Sequence, residues 1–139
     1  MRLVLDTNTV VSGLLWKGSP HRLLAVVGEH HDITLHTSPK LLAELADVLS
    51  REKLAAAIAS TQRLPDVLMR QYLAVVQIVT PAAVAPVVLA DPDDDHVLAC
   101  ALAAKADLIV SGDRHLQLKH YQAIPIVNVA ETLRRIERP

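Results

Sequence analysis

Alternation constrains this chain more than any other feature. Short apolar or β-branched runs at Leu3–Asp6, Asp32–His36, Gln77–Thr80, Asp107–Ser111 and Ile124–Val127 are separated by longer stretches with helical periodicity. Strands joined through helices cannot form tight hairpins. They pair in parallel through right-handed crossovers, which puts helices on both faces of the sheet. The pattern therefore predicts an α/β chain, a three-layer α/β/α sandwich around a central parallel sheet of about five strands. Residues 1–139 read as one domain, a length sufficient to bury a core. Apolar residues make up 51% and charged residues 21%, which excludes an intrinsically disordered chain.

The helices carry recognisable starts. Thr9–Trp16 is helical until Gly18-Ser19-Pro20 interrupts it, and Ser19-Pro20 predicts a capped start for His21–Val27. Thr37-Ser38-Pro39 opens a helix to about Ser50, whose apolar face is Leu41, Leu42, Leu45, Val48 and Leu49. Lys53–Ser60 and Pro65–Val76 read as further helices. Asp91-Pro92-Asp93-Asp94-Asp95 opens another, to about Lys105. Arg114–His120 reads as a short helix or turn, and Glu131–Glu137 as the last helix.

This topology bears directly on function. In an open parallel sheet, the C-terminal strand tips and the N-termini of the following helices share one edge, where ligands gather. Asp6 sits at the tip of the first strand, and Asp113 follows the fourth. The Asp91–Asp95 cluster opens the helix before that fourth strand. Glu44 lies in the second turn of the helix after strand two, about 100° from the centre of its apolar face, at the edge of the buried stripe. Acidic groups distant in sequence thus converge on one edge.

Clustered carboxylates repel and raise one another's pKa unless a cation neutralises them. An all-oxygen set suits Mg²⁺ or Mn²⁺, and such a metal can activate water against a phosphate ester. Asn8, Thr7, Ser12 and Ser111 are neutral groups suited to holding ligands or water. Taken singly, most of these residues have ordinary explanations. Asp93 and Asp94 suit a helix cap, Glu44 a solvated helix face and Asp113 a turn. Asp6 alone stands out, so the functional reading rests on the set. His96, beside the acids, reads as a surface residue because no second histidine has ligand spacing, and His30-His31 as a solvated turn. The single Cys100 lies in an apolar run and reads as a buried structural thiol.

Leu5-Asp6-Thr7-Asn8 with Ser12, the lone Glu44, the acidic helix start and Ile109-Val110-Ser111-Gly112-Asp113 together resemble the PIN domain family. Within it they most resemble the toxin-like proteins related to VapC ribonucleases. The resemblance covers nearly the whole chain. It implies a Mg²⁺- or Mn²⁺-dependent ribonuclease with an acidic quartet, a homodimer, and an antitoxin partner that blocks the site. Carried over by position, the catalytic and metal-binding acids are Asp6, Glu44, either Asp94 or Asp95, and Asp113. Asn8, Ser12, Ser111 and Asp91 support them. Asp95 has the family's usual spacing to Asp113, whereas Asp94 shares a helix face with Val97, Leu98 and Ala101, so both stay open.

The formal net charge of −1 provides no global attraction to RNA, so phosphate contacts would be local. Arg114, His115 and Lys119, just past Asp113, are the candidates. Trp16, Tyr72 and Tyr121 are too few for extensive base stacking. Two competing functions are weaker. An aspartyl-nucleophile phosphohydrolase usually needs a second acid two residues after the first, where this chain has Asn8. A PIN-like module that only binds RNA or protein would lack one of the acids, and every position is filled. The short apolar runs predict no membrane span, and a lone cysteine suits a reducing, cytoplasmic setting.

Overall fold

Five parallel strands build the sheet, as the alternation predicts. The computed structural model describes residues 1–81, 92–112, 120–121 and 123–137, with backbone alone at 92–94 and 120–121. Strand β1 (Arg2–Leu5) lies centrally between β2 (Thr34–Thr37) and β4 (Leu108–Val110). Outside them lie β3 (Val76–Ile78) and β6 (Ile124–Val127), and a two-residue β5 (His120–Tyr121) pairs antiparallel with β6. The order is β3-β2-β1-β4-β6-β5.

Register explains why Leu3, Val4 and Leu5 of β1 and all of β4 are apolar. Leu3 aligns with Leu35 and Leu108, and Val4 with His36 and Ile109. Successive side chains point to opposite faces, and here both faces are covered. Leu3, Leu5, Leu35 and Val110 join one core with Val10, Leu23, Leu45 and Leu68. Val4 and Ile109 join the other, with Val97, Leu98, Cys100 and Ala101. These residues come from helices α1 (Thr7–Leu15), α2 (Ser19–Glu29), α3 (Pro39–Leu49), α5 (Pro65–Leu73) and α6 (Pro92–Ala104). A 3₁₀ turn at Glu52–Leu54, a short α4 (Ala55–Ser60) and the terminal α7 (Val129–Glu137) complete the described elements. Cys100 is a buried free thiol, as expected. No described helix is long and apolar enough to cross a membrane.

Several local readings need correction. Helix α1 starts at Thr7, two residues earlier than its apolar pattern suggests, because Asp6 serves as its cap. Ser19 does not cap α2. Gly18 takes that place with φ of 146°, a conformation that favours glycine, and Ser19 becomes the first helical residue. Helix α5 stops at Leu73 and β3 begins at Val76, where the sequence suggests continued helix. Val76 pairs with Leu35, so strand pairing overrides the helical periodicity there. The expected Arg114–His120 helix or turn falls largely outside the described residues. Its last residue, His120, is in β5, paired with Pro125 after a reversal at Ala123, whose φ is 69°.

Packing between α1 and α2 is close. A Cβ placed on Gly13 would meet Leu24 Cδ1 at 2.7 Å and the Pro20 carbonyl oxygen at 3.0 Å. Glycine at that position lets the two helices approach within backbone distance.

Candidate active site

Asp6 occupies the junction where β1 ends and α1 begins. Its backbone N–H donates to the Val110 carbonyl at 3.1 Å, which continues the β1–β4 ladder by one residue. The side chain is 4% exposed. Oδ1 accepts from the Thr9 backbone N–H at 2.9 Å, and Oδ2 accepts from the Ser111 hydroxyl at 2.5 Å. Ser111 is also buried, and its own N–H donates to the Val127 carbonyl at 2.9 Å, so β6 fixes its position. A buried carboxylate is costly unless hydrogen-bonded. Here one oxygen is held by the positive end of α1 and the other by a hydroxyl from a neighbouring strand tip.

Glu44 arrives on α3. Ser38 caps that helix, with its hydroxyl oxygen accepting from the Leu41 N–H at 3.3 Å, and Pro39 takes the first helical position. Leu41, Leu45, Val48 and Leu49 are buried along one face. Glu44 is half-buried with its Oε2 atom buried, in keeping with its place at the edge of that stripe. Helix α3 packs against α1.

Helix α6 brings the acidic segment. It runs back along the sheet before β4, so its N-terminus lies at the C-terminal edge, and it packs against α3, β1, β2 and β4. Asp95, in its first turn, is half-buried. Asp94 is described by its backbone alone, at the start of the same helix. His96 is also half-buried, with part of the residue at the surface. His30 and His31 are exposed, as a solvated turn requires.

Of the predicted supporting residues, Ser111 touches Asp6 directly. Ser12 is half-buried and its carbonyl accepts from the Trp16 N–H, while Asn8 is exposed. Asp91, Asp113, Arg114, His115 and Lys119 lie outside the described residues. Among the described residues, no group of three His, Cys, Asp or Glu side chains is gathered closely enough to hold a metal. The donors that do reach the edge, on Asp6, Glu44, Asp95 and Ser111, are all oxygens. That chemistry fits a hard divalent cation.

Other reactive groups are withdrawn from such chemistry. Burial pushes the Cys100 thiol up to about 12, which leaves it protonated and unreactive. Burial and the nearby Arg2 charge lower the pKa of His36, keeping its imidazole neutral. Tyr72 is 3% exposed, which removes it from any stacking surface. Burial raises its phenol pKa well above the ordinary value. The sequence named Tyr72 only as one of few aromatics. The available signal was its place four residues after Leu68 on the α5 apolar stripe.

Comparison with known proteins places the fold. A chain of the VapBC2 structure from Rickettsia felis, solved bound to a DNA fragment from its promoter, superposes with a TM-score of 0.61 at 18% identity. The match covers 92% of this chain and 98% of that one. No curated protein matches in sequence. The family model for the PIN domain matches residues 2–115, which include the β1 tip, α3, α6 and the β4 tip. The chain belongs to the PIN domain family.

Proposed function

We propose that this protein is a divalent-metal-dependent ribonuclease, an endonuclease serving as the toxin of a toxin–antitoxin pair. The observation carrying this reading is the buried Asp6 carboxylate, held by the α1 N-terminus and Ser111 at the C-terminal sheet edge. Glu44 sits on the adjoining α3, and Asp95 on α6 packed against it. PIN family membership supports nuclease chemistry, and the likeness to a VapBC2 chain supports an antitoxin partner.

In this reading Asp6, Glu44, Asp113 and one of Asp94 or Asp95 hold Mg²⁺ or Mn²⁺. The cation supplies activation of water and stabilisation of the leaving oxygen of an RNA phosphodiester. Ser111 orients Asp6 by a hydrogen bond to one oxygen, and the Thr9 N–H at the start of α1 holds the other. Asn8, exposed in the first turn of α1, is available to substrate or water, and Ser12 and Asp91 take supporting roles. Arg114, His115 and Lys119 would contact the RNA backbone. Residues 1–139 act as one nuclease domain, working as a homodimer in the cytoplasm.

The test is cleavage of RNA by purified protein with Mg²⁺ or Mn²⁺, with chelator, and after Asp6→Asn. Cleavage should require the metal and fall at least about a hundredfold in the variant, more than loss of an outer-shell partner costs. Asp94→Asn and Asp95→Asn, measured alongside, identify the third acid as the one whose loss matches Asp6→Asn. Cleavage that persists in chelator or in Asp6→Asn rejects the mechanism.

A further inference from the structure

The acids at the C-terminal sheet edge set an electrostatic condition on any phosphodiester that approaches them. Asp6, Glu44 and Asp95 repel a phosphate, and a single divalent cation offsets only part of their charge. A neighbouring lysine or arginine would offset more. Helices α1, α3, α6 and α7 open on this edge, and in their first turns Lys40 is the one lysine or arginine. Lys40 is exposed, whereas Glu44 is half-buried. The two lie four residues apart on one side of α3, with Lys40 a turn nearer the tip of β2. Their chain neighbours Leu41 and Leu45 meet Leu5 and Thr7, the residues flanking Asp6, around one small cavity. That contact holds the first turns of α3 beside the β1–α1 junction. Arg22, Arg51, Arg70, Arg134 and Arg135 each pair with a carboxylate, whereas Lys40 has no ion pair among the described residues.

We infer that Lys40 is an RNA-binding residue of the acidic site, its ammonium contacting a backbone phosphate beside the one being cleaved. Such a contact carries no sequence information. It adds affinity and fixes the register of the strand on the protein. Helix α3 then has two roles along one side: Glu44 faces the cation, and Lys40, a turn nearer the rim, faces the polyanion. This inference rests on the proposed nuclease reading.

The experiment uses the full chain and a fluorescently labelled single-stranded RNA of mixed sequence, since phosphate contacts are independent of sequence. Anisotropy titrations in Mg²⁺ over a salt series use Asp6→Asn, so that the strand stays whole. That variant is measured alone and combined with Lys40→Gln, Lys40→Arg or Lys53→Gln, with urea unfolding in parallel. Lys40→Gln should lower the slope of log affinity against log salt by about 0.7, the share of one phosphate contact on a single strand. At ~0.1 M salt that slope corresponds to roughly fivefold weaker binding. Lys40→Arg should restore both quantities. Lys53 is exposed on the 3₁₀ turn beyond the far end of α3, and Lys53→Gln should change neither. In the wild-type background, Lys40→Gln should raise KM for cleavage by a similar factor and leave kcat within about twofold, as loss of uniform binding does. An unchanged slope or an unchanged KM in Lys40→Gln overturns the inference. So does an equal loss in Lys53→Gln, which would show diffuse surface attraction, or a fall in kcat alone, which would show an effect on the acids. If Asp6→Asn cleaves the strand as fast as wild type, or wild type cleaves no RNA, the nuclease reading fails and takes this inference with it.

Discussion

Ser111→Ala isolates the contact that most directly defines the β1 tip. The wild-type hydroxyl donates to Asp6 Oδ2 at 2.5 Å, with both residues under 10% exposed (4% and 8%). A hydrogen bond to a charged, buried acceptor is worth about 1.5–3 kcal/mol, because water cannot replace the lost donor. Taking ~2 kcal/mol, the ratio of folded to unfolded protein should fall roughly thirtyfold. The melting temperature should drop by about 6–8 °C for a chain of this size. Urea unfolding should be followed at neutral pH in chelator, so that metal binding does not add its own linkage. The diagnostic is the cycle with Asp6→Asn. In that background the acceptor is uncharged, so Ser111→Ala should cost ~1 kcal/mol less than in wild type. Ser111→Thr retains the hydroxyl and should recover most of the loss. Two results would refute the reasoning: a Ser111→Ala cost below about 0.5 kcal/mol, or strict additivity with Asp6→Asn. Either would mean that the carboxylate does not depend on this hydroxyl in solution.

Two further outcomes follow from the packing. His36 is buried on β2, its Nε2 paired with Thr34 Oγ1 at 2.9 Å, and burial lowers its pKa below the ordinary 6.5. The unfolded chain then binds this proton more readily, so the stabilisation is complete above pH 6.5 and declines as pH falls through the folded-state pKa. His36→Gln should therefore flatten the rise in unfolding free energy between about pH 5 and 7, and parallel profiles for the two proteins would refute the assignment. Gly13→Ala sets a helix-propensity gain of up to ~1 kcal/mol against an overpacking cost of about 1–3 kcal/mol. Because the Pro20 carbonyl oxygen, a backbone atom, lies 3.0 Å from the added Cβ, the net should be a loss of ~1 kcal/mol in urea unfolding. Unchanged stability would mean that α2 moves away without cost.

What could be read from the chain, and what could not, divides along the range of the interactions. Leu3-Val4-Leu5 announces a strand buried on both faces, and Ser38-Pro39 announces the start of α3. Both signals are carried by adjacent residues, and both structures appear. The half-buried placement of Glu44 follows from helical angle alone. By contrast, the switch from α5 to β3 at Val76 depends on pairing with Leu35, and β5 exists only through its pairing with β6. Asp6 is the instructive case. Its position after an apolar run suggested a functional acid, whereas the structure shows the same carboxylate capping α1 through Thr9. These readings do not compete. A cap needs an acceptor oxygen at a helix N-terminus, and a metal ligand in a parallel α/β sheet needs one at the same edge. The topology places both requirements on a single side chain. Replacing Asp6 therefore perturbs α1 as well as the site, and a loss of cleavage in Asp6→Asn identifies a ligand only when the variant's folded fraction is measured in the same sample.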